Sequence, residues 1–211
     1  MCLNLEHSKF YKNSMQKCGI SAEGAGWKNS EAQMWRFEQM VKVIKDKSCF
    51  SINDIGCGFG CLCQYLQNKE YTDFKYVGYD ISDVMIKSAL KLCTENDNCC
   101  FLKTDIKYNT VMFSDYCVAS GIFNLKGEDI NETSWLKYIL DTLEMFNKKS
   151  KLGFSFNMLT KYSDIEYMKK ELYYADPCFF FDYCKRNYSR NVALLHDYDE
   201  YDFTIIVRKD L

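Results

Sequence analysis

The chain has 211 residues and a formal net charge of -2, and 47% of its residues are hydrophobic while 27% are charged. This length and composition fit one globular α/β domain and are too small for two full domains. The lack of a basic block argues against nucleic acid as an obligatory partner, and no apolar run has the length of a membrane span. The first residues lack the basic and apolar regions of a signal peptide, so a cytoplasmic location is expected.

The chain contains twelve cysteines, but their spacing includes no C-x-x-C pair. Because only two histidines accompany them, the sequence predicts no structural zinc site and no other metal centre. A disulfide framework is not expected in a chain without an export signal. Most of the thiols are therefore predicted to be small buried hydrophobic side chains.

Two helices are predicted before the first strand. Leu3, Phe10 and Tyr11 give residues 1–18 the pattern of an amphipathic helix. Residues 30–33, Ser-Glu-Ala-Gln, resemble a capping box, which predicts a helix that extends to about Lys45.

Residues 51–60 form the most informative stretch of the chain. Its first half has the apolar pattern of a buried strand, and a helical pattern begins after its last residue. Between them, Gly56, Gly58 and Gly60 would let the backbone approach a ligand closely. A dinucleotide-binding G-x-G-x-x-G pattern would need a glycine at position 61, which is occupied by Cys61. A tight turn without a ligand is the alternative interpretation.

A second strand, predicted over residues 74–80, ends in Asp80, which is 20 residues beyond Gly60. That separation suits a carboxylate that binds the ribose of a ligand held by the glycine turn. The alternative is that Asp80 caps the following helix, but Ser82 is able to cap that helix alone. Asp80 is therefore interpreted as a ribose ligand.

The remaining elements continue the alternation of strands and helices. Further strands are predicted over residues 99–103, 115–120 and 151–157, with a helix from Thr133 or Ser134 before the last of them. The tyrosine-rich residues 159–175 are predicted to form a helix or a lid. The pair Asp176-Pro177 is typical of a helix start, and residues 192–198 and 201–207 are predicted to form a tight antiparallel hairpin.

Three acid-bearing strand ends carry a resemblance to a known family. The pattern Asp54-x-Gly56-x-Gly58-x-Gly60, the segment Gly78-Tyr-Asp80-Ile-Ser82 and the segment Thr104-Asp105-Ile106 resemble the motifs of class I S-adenosylmethionine-dependent methyltransferases, over about residues 30–210. The resemblance implies a three-layer α/β sandwich with a Rossmann-like, mostly parallel seven-stranded sheet and a carboxyl-terminal antiparallel hairpin. It also implies S-adenosyl-L-methionine as the cofactor, bound by Asp54, Gly56, Cys57, Gly58, Gly60, Asp80, Ile81, Asp105, Ile106 and Ser120. In the family, an acidic residue placed like Asp105 meets the adenine amino group; taken alone, Asp105 would be an ordinary turn residue.

Residues before the glycine turn add to this resemblance. Trp27 and Arg36 look like the amino-terminal segment of small-molecule members such as the trans-aconitate type, where an arginine holds the methionine carboxylate. An arginine fork suits a carboxylate physically. The alternatives are that Arg36 is a solvated helix residue and that Trp27 is a core anchor. One domain over residues 1–211 is expected, with residues 1–29 as an amino-terminal helix or lid and residues 159–190 as an acceptor-pocket insertion.

The acceptor side of the site is less defined by the sequence. Asn124, Tyr174 and Arg190 are predicted to contact a small-molecule acceptor, and His196 is the candidate general base if the acceptor must lose a proton. No Asn-Pro-Pro-Tyr type of motif follows the fourth strand, which disfavours amide or nucleobase nitrogen as the acceptor. The favoured function is methyl transfer to a small molecule by a monomer or homodimer. A non-catalytic S-adenosylmethionine-binding or partner-binding domain is the alternative, and Cys61 counts against an NAD-dependent oxidoreductase.

Overall fold

The computed structural model describes residues 14, 17–93, 98–104 and 110–209. In this part of the chain, seven strands form one sheet in the order β3-β2-β1-β4-β5-β7-β6. Strands β1 to β5 pair with one another in parallel, and β7 is antiparallel to both β5 and β6. The strands span Ser48–Ile55 (β1), Thr72–Asp80 (β2), Cys99–Lys103 (β3), Ser114–Ala119 (β4), Ser150–Leu159 (β5), Asn191–Leu195 (β6) and Asp202–Arg208 (β7). The predicted mostly parallel sheet with a closing hairpin is confirmed.

Among the described residues, five α-helices cover the two faces of this sheet. They span Ser30–Met40 (α1), Cys61–Asn68 (α2), Asp83–Leu92 (α3), Glu132–Lys149 (α4) and Pro177–Asn187 (α5). Short 3-10 turns follow at Val41–Val43 and Ile165–Tyr167.

Alternate residues of the central strands belong to two separate hydrophobic cores. One core joins α1, α2 and α3 to side chains such as Ile52, Tyr76 and Val118. The other joins α4 and α5 to the opposite faces of the strands, through side chains such as Cys117 and Phe156. Because a strand points successive side chains to opposite faces, this alternation produces the three-layer sandwich that the resemblance implied.

Helix starts follow their local capping chemistry. Ser82 caps α3 by accepting a hydrogen bond from the Met85 amide, and Asp176 caps α5 with proline in its first turn, as predicted. At α1, however, the cap is Asn29, whose side chain accepts a hydrogen bond of 2.8 Å from the Ala32 amide. The predicted capping box beginning at Ser30 is therefore wrong, because Asn29, one position earlier, supplies the cap and Ser30 is already the first helical residue.

Several predicted boundaries also differ from the structure. Helix α1 ends at Met40, short of Lys45, and residues 160–175 contain one 3-10 turn with no longer helix. The first hairpin strand ends at Leu195, three residues earlier than predicted, and the second begins at Asp202, so residues 196–201 form a loop and His196 does not lie on a strand. The helix predicted near Phe10 falls mostly outside the described residues. Within the described part of the chain, none of the helices combines the length and hydropathy needed to cross a membrane.

Candidate functional site

The strand order reverses between β1 and β4, and this reversal locates the candidate site. From β1 the chain proceeds outward to β2 and β3, and it then returns to add β4 on the other side of β1. In open α/β sheets such a reversal leaves a crevice beyond the carboxyl ends of the strands, where ligands bind. The glycine turn leaves the carboxyl end of β1 at this point.

The glycine turn follows a backbone path that requires glycine. Gly56, Gly58 and Gly60 have φ angles of 77°, 53° and 76°, which lie in the left-handed region. A Cβ added at Gly56 would lie 2.3 Å from Ile122, whereas one at Gly58 would meet nothing within 4 Å. The turn thus packs against Ile122 at Gly56 and faces open space at Gly58. A ligand would approach the backbone at Gly58.

The end of β2 holds this turn in place. The Tyr79 carbonyl accepts hydrogen bonds from the Gly56 and Cys57 amides at 2.7 and 3.0 Å. The half-buried Asp80 carboxylate accepts one from the Gly58 amide at 3.0 Å and another from the Ser82 amide at 2.8 Å. Two consecutive residues of β2, Tyr79 and Asp80, therefore hold the glycine turn through hydrogen bonds.

Asp80 keeps capacity for a ligand. An ionised carboxylate offers about four lone-pair positions, and the two amides each use one oxygen. Burial raises the pKa of Asp80, while amide hydrogen bonds from Ser82, Gly58 and Ile81 stabilise the ionised form and oppose that rise. Both oxygens can therefore still accept hydroxyl donors such as those of a ribose.

Asp54 differs from Asp80 because its side chain is fully buried behind the glycine turn. It is 3% exposed and accepts a hydrogen bond of 2.5 Å from the Tyr76 hydroxyl. Burial raises the pKa of Asp54 to about 7, with the Tyr76 hydrogen bond acting in the opposite direction and the charge of Asp80 adding to the rise. Its carboxyl group is thus poised to change charge near neutral pH.

The other residues predicted to bind the cofactor differ in their position relative to the crevice. The Cys57 side chain is buried beneath the turn near Gly78, and burial raises its pKa, so only its backbone faces the crevice. Ile81 follows Asp80 and is half-buried. Asp105 and Ile106 lie outside the described residues.

Beside the glycine turn, a second polar group gathers at the carboxyl ends of β4 and β5. The buried Asn157 side chain accepts a hydrogen bond of 2.7 Å from the Gly121 amide and donates one of 3.2 Å to the Ser120 hydroxyl. The Asn124 side-chain oxygen accepts a hydrogen bond from the Leu159 amide at 3.1 Å. These contacts fix the loop that leaves β4 against the end of β5.

Trp27 and Arg36 reach this same edge from the segment around α1. The Trp27 ring lies against Gly121, where an added Cβ would be 2.7 Å from it, and the Arg36 guanidinium lies 4.6 Å from the ring centroid. Arg36 is 5% exposed, donates to Asp202 through Nε at 3.0 Å and to Glu200 through Nη2 at 2.8 Å, and forms a further short ion pair with Asp202. Arg36 is therefore a buried ion-pair residue and not a solvated helix residue.

The Arg36 ion pair bears on the predicted cofactor contact. Its Nη1 also donates to the Ala32 carbonyl at 2.8 Å, so every nitrogen of the guanidinium has a protein acceptor. Desolvation opposes the charge of Arg36, but the two carboxylates outweigh it and its pKa is raised. The predicted contact with a methionine carboxylate would have to share these donors with Asp202 and Glu200.

The predicted acceptor residues do not all meet. Tyr174 is half-buried and its hydroxyl accepts a hydrogen bond of 2.9 Å from the Lys169 amide. Arg190 directly precedes β6, whose first residue pairs with Arg208, and Arg208 pairs with Gly153 near the start of β5. Arg190 therefore lies at the opposite ends of the strands from the glycine turn. Its predicted role at the acceptor is not supported.

His196 lies at the same ends of the strands as the glycine turn, but it is several strands away from that turn. It is exposed in the β6–β7 loop, with its ring 6.1 Å from that of Tyr162 and 6.2 Å from that of Phe203. Strand β6 is three positions from β4, which corresponds to about 14 Å at the usual strand spacing. A base at His196 would not reach an acceptor held beside Gly121.

Comparison with known proteins agrees with this geometry. A family model described as a methyltransferase domain matches residues 53–120, from β1 to the end of β4. "Putative methyltransferase Rv1506c" of Mycobacterium tuberculosis is 46% identical over 173 residues, which cover 80% of this chain and 99% of that protein. The chain belongs to this methyltransferase family, which is of the class I, S-adenosylmethionine-dependent type.

Solved structures share the fold of this methyltransferase at low identity. Magnesium protoporphyrin IX methyltransferase from Synechocystis with bound S-adenosylmethionine has a TM-score of 0.60 at 11% identity, covering 84% of this chain and 79% of that one. Human N-acetylserotonin methyltransferase has a TM-score of 0.63 at 12% identity, covering 99% of this chain and 67% of that one. The family assignment removes the oxidoreductase alternative.

Sequence reasoning missed several residues that shape the site of this methyltransferase. Asn157, Asp202 and Glu200 had no assigned role, although they lie in the polar group at β5 and in the Arg36 ion pair. Asn157 carried a usable signal, because it is an uncharged polar residue at the end of a phenylalanine-rich strand. No local signal distinguishes Asp202 or Glu200, since their partner is more than 160 residues away.

Proposed function

We propose that this methyltransferase transfers the methyl group of S-adenosylmethionine to a small-molecule acceptor bound across β4 from the glycine turn. The observation that carries the proposal is the pairing of two polar groups at one crevice. On one side lie the Gly58 backbone and the Asp80 carboxylate, and on the other lies the group formed by Asn157, Asn124 and the Gly121 backbone.

The first of these groups fits the cofactor. Gly58 faces open space, so the ligand can approach the backbone there, and Asp80 can accept two ribose hydroxyls while it keeps its bonds to the turn. Asp105 and Ile106 are assigned to the adenine by the family resemblance alone. Arg36 acts in this proposal through Trp27, because its guanidinium packs on the ring that lies against Gly121.

The second group fits the acceptor. The methyl carbon of the cofactor is made electrophilic by its sulfonium, so the protein must align a nucleophile with it and exclude water. Asn157 holds the Gly121 loop rigid, and Asn124 offers its side-chain nitrogen near Gly121 while its oxygen is bonded to Leu159. These residues are positioned to orient an acceptor without a covalent step.

Residues 159–190 are proposed to cover the acceptor. Leu172 and Leu125 form an isolated antiparallel bridge, and the Tyr173 amide donates a hydrogen bond of 2.8 Å to the Asn124 carbonyl. This segment is therefore tied to the loop that leaves β4. A small acceptor is in keeping with neighbours of the same fold that are named for magnesium protoporphyrin IX and N-acetylserotonin.

Two measurements test the proposal. Calorimetric titration with S-adenosylmethionine, S-adenosylhomocysteine and NAD is expected to give binding of the first two alone, with both lost in Asp80→Ala. Incubation with methyl-labelled cofactor and a deproteinised metabolite extract is then expected to label a small molecule. Cofactor binding with no labelled small molecule would favour the non-catalytic binder, and label on protein or nucleic acid in a complete extract would overturn the small-molecule acceptor.

A further inference from the structure

A group of cysteines packs against the back of the glycine turn. The Cys63 sulfur, in the first turn of α2, lies 2.7 Å from the Cys99 sulfur at the start of β3. Cys93, which directly follows α3, directs its thiol to the Gly60 carbonyl at 3.9 Å and lies beside Cys63. Three elements that flank the turn thus meet through thiols.

The Cys63–Cys99 distance is close to that of a bond. A disulfide has sulfur atoms about 2.05 Å apart, so the two sulfurs lie about 0.7 Å beyond the length of that bond. Among the described residues, no group of three potential ligands is arranged to hold a metal ion. The chemistry that two thiols at this separation support is oxidation to a disulfide.

The two thiols differ in the way that such a reaction requires. Cys63 is fully buried, whereas Cys99 is half-buried at the start of its strand. The hydrogen bond between the two thiols lowers the pKa of Cys99, with burial acting in the opposite direction, while the pKa of Cys63 is raised. The more accessible thiol is thus also the one whose thiolate is favoured.

We propose that Cys63 and Cys99 form an oxidisable dithiol that closes to an intramolecular disulfide between α2 and β3. A low-molecular-weight disulfide such as oxidised glutathione is the oxidant. The Cys99 thiolate attacks one of its sulfurs and releases one reduced thiol, leaving a mixed disulfide on Cys99. Cys63 then loses its proton and attacks the Cys99 sulfur, and a second reduced thiol leaves. The protein loses two hydrogens, and the oxidant gains them.

The crosslink fixes the helix that follows the glycine turn. It encloses the chain from Cys63 to Cys99, a separation of 36 residues, and so restricts the unfolded chain. Because the two sulfurs are already close, bond formation leaves the start of α2 in place. Oxidation is therefore a stabilising modification of this methyltransferase that preserves the glycine turn.

The test compares four variants after incubation of the folded protein with oxidised glutathione. Free thiols are then blocked, and the digest is analysed by tandem mass spectrometry with and without reduction. The native chain is expected to lose two hydrogens and to yield one linked peptide pair, and neither Cys63→Ser nor Cys99→Ser should yield it. Cys61→Ser and Cys100→Ser, which alter a neighbouring cysteine on the same helix or strand, should still yield it.

A thermal scan supplies the second readout, since it does not depend on peptide assignment. The oxidised native chain should unfold at a temperature roughly 5–10 °C above that of the reduced chain, and Cys99→Ser should show no such shift. A link that survives in Cys99→Ser, or one lost in Cys100→Ser, would overturn the assignment. So would a native chain that forms only mixed disulfides with glutathione.

Discussion

The crevice has a cofactor half, at the glycine turn, and an acceptor half, across β4. The contacts that build these two halves differ in how far apart their residues lie in the sequence. At the glycine turn, the amide of Gly58 bonds to Asp80, which is 22 residues away, and both belong to one strand-helix-strand unit. Across β4, Asn157 bonds to Gly121 over 36 residues, and Arg36 pairs with Asp202 over 166 residues. The cofactor half is thus a local motif, whereas the acceptor half depends on the sheet being complete.

This difference predicts where each half is vulnerable. A change in the cofactor half should alter ligand binding with modest effect on folding, because the hydrogen bonds between Asp80 and the glycine turn lie within one strand-helix-strand unit. A change to the long-range contacts of the acceptor half should alter stability or turnover, because those contacts hold separate elements together.

The largest expected effect is the loss of the buried ion pair. Arg36→Met leaves the Asp202 carboxylate fully buried without its cation, and within the described residues its Oδ1 has no hydrogen-bond partner to compensate. The free energy of unfolding should fall by about 3–5 kcal/mol, measured by urea denaturation. Arg186→Met is the control, because Arg186 pairs with Asp182 on the exposed surface and should change stability by less than about 1 kcal/mol.

An Arg36→Met variant as stable as its Arg186→Met control would show that the ion pair does not join α1 to β7. The double variant Arg36→Met/Asp202→Leu should regain part of the lost stability, since the uncompensated charge is gone.

The second effect is a pH dependence of stability from Asp54. Its pKa is raised in the fold from 3.8 to about 7, so the folded chain binds more protons than the unfolded chain between those values. Stability from this group is present below about pH 4, is lost as the pH rises towards 7, and totals about 4 kcal/mol at most.

Asp54→Asn removes the titrating carboxyl group and so isolates its pH-dependent contribution to stability. The side-chain oxygen of the asparagine can still accept a hydrogen bond from the Tyr76 hydroxyl. The free energy of unfolding of the variant relative to the native chain should increase from pH 4 to pH 7 and then level off. Parallel pH profiles for the two proteins would contradict the assignment.

The third effect concerns the cofactor half alone. Asp80→Ala removes a charged acceptor that is proposed to bind two hydroxyls, so the Kd for S-adenosylmethionine should rise about 100-fold or more. The matched control is Asp83→Ala, three residues later, where an exposed carboxylate pairs with Lys103 at the surface. Calorimetry should give a native-like Kd for the control, and equal losses in both variants would contradict a direct role for Asp80.

The smallest effect separates the acceptor from the cofactor. Asn157→Ala leaves the Gly121 amide without its acceptor, so methyl transfer should slow about tenfold while the Kd for S-adenosylmethionine stays within about twofold. Ser155→Ala changes a buried polar residue of the same strand that bonds instead to the Met40 carbonyl, and it should retain native turnover. If both variants lose turnover equally, Asn157 acts only through the stability of β5.

Prediction from the sequence succeeded where the chemistry is local. The strand over Cys99–Lys103, the caps of Ser82 and Asp176, and the glycine turn each depend on neighbouring residues. The alternation of strands and helices fitted an α/β domain, and the family resemblance supplied the seven-stranded layout. The capping box at Ser30 failed because Asn29, an equally good capping residue, lies one position earlier and caps the helix instead.

What the sequence alone determined about this protein is its succession of elements and the cofactor motif, because periodicity, capping and left-handed turns are fixed by residues close in the chain. The tertiary structure decided which distant groups meet. Strand order and register placed Arg190 at the far edge, paired Arg36 with Asp202, and brought the Cys63 thiol to Cys99. The hydrogen bonds between strands that set this order join distant segments, and no local pattern encodes which strands will be neighbours.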